Sequence, residues 1–306
     1  MRLLLSWAVG LLLTGTLHAQ NDVQYSQFVF NKLAINPAYA GAREALTVGA
    51  IYRNQWTGIE GAPTTLSAYV HAPFANKRNG LGLAVTADRI GIMDNTYLDA
   101  SYAYRIAVGI DKTLSIGLRA RFEHTNINYQ LAELIDPQDG FVPQQAERSN
   151  RTNFGFGAYY QERTWFVGAS IPNLLKSNLY TDEYFGRSDY KRFRSSYLMG
   201  GFICDLTDDI LLKPAAMISY SPSAPFEVDF NASLRFLNVL WVGASYRLGD
   251  SVDGIVQYQF SDQLKAGFAV DFTLTELQQY TSGTFEILVE YTWLKERQDV
   301  NNIRFF

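Results

Sequence analysis

The chain has 306 residues, 47% hydrophobic and 18% charged, with a formal net charge of -4. That balance is too apolar for a disordered chain and too acidic for a nucleic-acid partner. One cysteine, Cys204, excludes a disulfide framework and a cysteine metal cluster, and three histidines leave little imidazole chemistry.

Residues 1–19 read as a secretory signal: Arg2 is the positive start, Leu3 to Leu17 the apolar core and His18-Ala19 the small-residue end. Cleavage is expected after Ala19, and about 15 apolar residues are too few for a membrane helix. No cysteine follows the cut, so no lipid anchor is expected there. Residues 20–44 carry Tyr25, Phe28, Phe30, Leu33, Ile35 and Tyr39, more apolar surface than a free tail would expose. This stretch is expected to pack on or in whatever follows it. Pro37 ends any short helix, and Gly41 permits a sharp turn into the first strand.

From residue 45 to 293 the signal is period-two alternation. In 113–123, Leu114, Ile116, Leu118, Ala120 and Phe122 share one face, and Ser115, Gly117, Arg119, Arg121 and Glu123 the other. Segments 226–236 and 264–273 repeat the pattern. About fourteen such segments are read, near 45–56, 64–74, 80–88, 96–106, 113–124, 151–161, 164–171, 193–204, 210–220, 226–236, 239–248, 252–260, 263–273 and 284–293.

A soluble sandwich also alternates, but two features favour a membrane barrel. The apolar faces end in aromatics, as at Tyr52, Trp56, Tyr102, Tyr104, Tyr246, Tyr291 and Trp293. Connections also tend to alternate between short and long, with the longest at 125–150 and 172–192. The expected fold is all-β: a single antiparallel transmembrane β-barrel of about 14 strands in residues 45–293, with both termini periplasmic on the short-turn side. Residues 294–306 form a C-terminal tail ending in Phe305-Phe306.

The polar face carries Arg53, Asp88, Asp99, Arg105, Arg119, Arg121, Asp229, Arg235, Arg247, Asp253, Asp271, Glu286 and Glu290. These charges either line a water-filled pore or pair into a network that closes the lumen. Mixed signs favour pairing, because a selective pore concentrates one sign.

Catalytic chemistry finds little support. His71 falls on a polar strand face and His124 at a strand end, with no G-x-S-x-G nearby. Gly80-Leu81-Gly82 and Gly155-Phe156-Gly157 lie within strand patterns, where glycine lets the barrel bend or the interior fill. Asp205, Asp208 and Asp209 read as a solvated turn. No catalytic, cofactor-binding or metal-binding residue is expected. The two longest connections concentrate aromatics, and Phe141, Tyr180, Tyr184 and Phe185 are candidate anchors for a protein partner.

Several motifs bear a family resemblance. Asn36-Pro37-Ala38-Tyr39-Ala40-Gly41, then Tyr52-Arg53-Asn54-Gln55-Trp56-Thr57-Gly58 and Gly61-Ala62-Pro63, resemble the opening of the PorP/SprF family. Gly80-Leu81-Gly82, Tyr102-Ala103-Tyr104-Arg105, Leu114-Ser115-Ile116-Gly117, Leu212-Lys213-Pro214, Trp241-Val242-Gly243-Ala244-Ser245-Tyr246-Arg247 and Ala269-Val270-Asp271 continue it. Gly283-Thr284-Phe285-Glu286 departs from the pattern, since the family commonly has His before the Glu. The resemblance implies an outer-membrane, non-enzymatic component of the type IX secretion and gliding machinery. It implies contact with outer-membrane lipid, with the C-terminal domain of a secreted adhesin, and with periplasmic or lipoprotein components of that machinery. The alternative function is a porin-like solute channel.

Overall fold

The computed structural model describes residues 23–131, 146–175, 177–178, 191–192, 194–222 and 226–293. Its strands are β1 Leu46–Asn54, β2 Thr64–Pro73, β3 Asn79–Ile90, β4 Met93–Gly109, β5 Lys112–Ile127, β6 Glu147–Gln161 and β7 Trp165–Ile171. They continue as β8 Ser196–Phe202, β9 Ile210–Tyr220, β10 Glu227–Phe236, β11 Leu240–Arg247, β12 Ser251–Gln259, β13 Leu264–Thr273 and β14 Thr284–Trp293. Each strand pairs antiparallel with its neighbours in sequence, and β14 returns to pair with β1, closing the ring. Closure leaves no free sheet edge, which is what lets strands cross a bilayer. Among the described residues no helix is long and apolar enough to do so.

The alternation has the expected sense. Leu98, Leu118, Phe154, Phe230 and Phe268 face outward and are exposed, whereas Ser101, Arg119, Asn231 and Asp271 face inward and are buried. Strands β4 and β5 run several residues past the periodic segments. Beyond the apolar band the outward positions turn polar, as at Asp94 and Thr96, so the sequence signal fades while the backbone ladder continues. Strand β8 is shorter than expected. Pro214 on β9 lacks an N–H, the ladder breaks opposite Phe202 and Ile203, and pairing resumes only at Cys204–Asp205.

Connections 74–78, 110–111, 162–164, 203–209, 237–239 and 260–263 lie at one end. The other end carries 55–63, 91–92, 248–250 and 274–283, and there β5, β7 and β9 finish and β6, β8 and β10 begin. Leu46 pairs with Trp293, so β1 starts and β14 finishes at the short-turn end.

Candidate functional site: the lumen and its N-terminal segment

Residues 23–44 lie inside the ring. Phe28, Val29, Phe30, Leu33, Ala38, Tyr39 and Ala40 are buried there, packed with the inward side chains Tyr69, Tyr159, Phe166, Met199 and Met217. The segment traverses the lumen from end to end. Gln24 Nε2 donates to Glu227 Oε2 at 2.5 Å near the long-loop end, and Arg43 pairs with Glu290 toward the short-turn end. A cavity of about 60 Å³ lies beside it, bounded by Leu33, Asn31, Ser67, Tyr97, Asp99 and Arg119.

The middle of the segment sits on glycines of the wall. A Cβ on Gly80 would overlap the Ala40 carbonyl, on Gly117 the backbone of Pro37 and Ala38, and on Gly157 the Asn36 side chain. These glycines all point inward, so the wall is hollowed where the chain turns. Asn36 caps that turn, its Oδ1 accepting from Ala38 N at 2.9 Å while its Nδ2 donates to Ala158 O at 2.9 Å. Gly41 has φ +74°, and the backbone of Gly80 and Pro73 crowds the position a Cβ would take, so a side chain is disfavoured there on both grounds. His71 is consumed by the same turn: its Nδ1 accepts from Gly41 N at 3.2 Å.

Charges hold the rest. Glu286 on β14 accepts from Ser26 N at 2.7 Å and Gln27 N at 3.1 Å, and it pairs with Arg53. Arg53 also reaches Asp271 at 3.5 Å. Arg119 donates to the carbonyls of Leu33 and Ala34, the latter at 2.9 Å. Glu290 accepts from Tyr69 Oη at 2.9 Å and Lys265 Nζ at 2.9 Å as well as from Arg43. On the wall, Arg121 grips Asp99 with two bonds of 2.6 and 2.7 Å, Arg247 meets Asp229 at 2.8 Å, and Arg105 meets Glu44 at 3.0 Å. Asp88 accepts from Thr65 at 2.6 Å and Asp253 from Ser251 at 3.2 Å, while Arg235 lies 5.6 Å from the Trp241 ring centroid. The inward charges are therefore paired, hydrogen-bonded or stacked on rings rather than solvating an open pore.

The motif residues divide by location. Asn36, Pro37, Ala38 and Gly41 form the seated turn, and Arg53, Arg247 and Asp271 belong to the buried ionic network. Gln55, Trp56, Gly58 and Pro63 build the β1–β2 loop, where Gln55 N bonds Pro63 O at 2.9 Å and Trp56 N bonds Thr284 Oγ1 at 3.1 Å. Tyr246 faces outward and is exposed. Phe141, Tyr180, Tyr184 and Phe185 lie outside the described residues. The inward charges read from the sequence did not include Lys32, Lys213 and Lys265, which are buried in the lumen. The available signal was a lysine on the inward phase of β9 and of β13. Among the described residues no group of His, Cys, Asp or Glu could hold a metal ion.

Comparison with known proteins adds the identity of the assembly. Among solved structures, a monoaromatic hydrocarbon channel, the TodX deltaS2S3 mutant, aligns with TM-score 0.50 at 10% identity, covering 90% of this chain and 96% of that one. The outer membrane protein Omp33 of Acinetobacter baumannii aligns at 0.48 and 10% identity, covering 82% and 98%. At such identities the likeness is one of fold. No curated protein matches the chain. The family model described as "Type IX secretion system membrane protein PorP/SprF" matches residues 17–291, which takes in both the lumenal segment and the barrel. The chain belongs to the PorP/SprF family of type IX secretion system membrane proteins, and its closed antiparallel ring with an apolar outer face is that of an outer-membrane β-barrel.

Proposed function

We propose that this barrel is a closed, non-enzymatic platform that supports secretion or surface anchoring of an adhesin through the adhesin's C-terminal domain. Residues 20–44 act as its plug, residues 45–293 as the barrel and residues 294–306 as a tail. The long-loop end faces the cell surface and the short-turn end the periplasm, where periplasmic or lipoprotein components of the machinery dock. The observation that carries the reading is the filled lumen: a pore for solutes would not have its axis occupied by its own chain, bonded to both walls. Membership of a secretion family supports a protein rather than a solute as cargo.

Adhesin docking is assigned to the long connections at the surface end, with Phe141, Tyr180, Tyr184 and Phe185 as aromatic anchors. Replacing Tyr180, Tyr184 and Phe185 with Ser should release the adhesin from cells while the barrel keeps its heat-modifiable gel mobility. An adhesin that stays attached to cells carrying the triple variant contradicts surface docking at this site.

A further inference from the structure

The buried lumenal charges are unevenly spread along the barrel axis. Toward the long-loop end lie Asp229, Asp253, Asp271 and Glu286 with Arg53 and Arg247. Toward the middle and the short-turn end the balance reverses. Arg43 and Lys265 both pair with Glu290, and Lys32 joins them in the same part of the lumen. Lys32 is 1% exposed, and its Nζ donates to Val29 O at 2.8 Å. The rest of its surroundings is aromatic, with the Phe166 and Tyr39 ring centroids 4.6 and 5.2 Å away. Among the described residues no carboxylate lies within ion-pair distance of it. Lys265 and Lys213 approach the Phe30 ring at 5.4 and 5.2 Å.

Four buried basic side chains, Lys32, Arg43, Lys213 and Lys265, thus share this part of the lumen, and among the described residues Lys32, Arg43 and Lys265 have one nearby carboxylate, Glu290, which Tyr69 also occupies. Ring faces offset part of the cost of burying an ammonium, but a buried cation is normally matched by an anion. We propose that Lys32, Arg43 and Lys265 frame a binding site for a small oxyanion, a phosphate or a carboxylate, between the segment and the wall. Their N–H donors give the charge-assisted bonds such an ion takes. Because Lys32 and Arg43 belong to the segment and Lys265 to β13, the site is complete only while the segment is seated. Oxyanion binding therefore stabilises the seated state by mass action. The inference stands apart from adhesin docking and does not depend on it.

The test uses the purified full-length barrel in detergent, with its unfolding midpoint titrated with sodium phosphate, sodium acetate or polyglutamate. Sodium chloride at matched ionic strength is the control. A saturable rise with phosphate or acetate is expected, and whichever ion gives it names the source of the oxyanion. Polyglutamate, too large to reach Lys32 past a seated segment, should give none. Lys32→Met should abolish the rise. No saturable rise, an equal rise in Lys32→Met, or an equal rise with polyglutamate would each overturn the site. Should Lys32→Met fail to assemble, equilibrium dialysis of the wild-type barrel against labelled phosphate and labelled acetate decides: saturable uptake of either supports the site, and uptake of neither refutes it.

Discussion

The two halves of the lumenal segment are held by different physics. Around Asn36–Gly41 the wall is hollowed by Gly80, Gly117 and Gly157, and the contacts are steric and neutral. From Gln24 to Lys32 the directed hold consists of hydrogen bonds between neutral segment groups and charged wall groups, Glu227, Glu286 and Arg53. A shape fit tolerates no added volume but is indifferent to salt. A latch of charge-assisted bonds depends on single carboxylates whose loss strands buried partners. The turn therefore sets where the segment sits, and the latched stretch sets how firmly it stays.

Substitutions on each side sharpen this contrast. The largest expected effect is at the latch. Glu286→Ala leaves Arg53 and two segment N–H groups without their acceptor, at a cost of about 3–5 kcal/mol in urea unfolding of the refolded barrel. Next comes the bilayer face, which serves as an external reference. Ile116→Arg or Phe268→Arg should cost about 2–4 kcal/mol near the midplane, measured by folding into lipid vesicles. Equal tolerance of Arg at inward Ser115 and outward Ile116 would mean the strand faces are misassigned. In the glycine seat, Gly117→Val drives a side chain into Pro37 and Ala38 and should cost about 1–3 kcal/mol. Little or no loss there would dissolve the distinction between the two halves. The smallest effect is Asn36→Ala, about 1 kcal/mol for the lost turn cap, read as a lower unfolding midpoint.

Much of this architecture is legible in the sequence, because a bilayer enforces alternation at every spanning strand. Leu114 to Glu123 sorts into faces without reference to any neighbour. The burial of residues 23–44 is legible too, since Phe28, Phe30 and Tyr39 need cover. Their path is not: nothing local in Gln24 points to Glu227, about two hundred residues away. The glycine seat is also hidden, because Gly80 and Gly117 read as gaps in a polar face until a second backbone is laid over them. The ends of β4 and β5 escape because backbone pairing outlasts the apolar band.

The central claim is that the chain's own N-terminal segment closes the barrel, and planar-bilayer conductance tests it most directly. The intact protein should give no stable large conductance, and deletion of Asn21–Leu33 should open a steady one. A large steady conductance from the intact chain, or a deletion variant as closed as the wild type, would contradict the account.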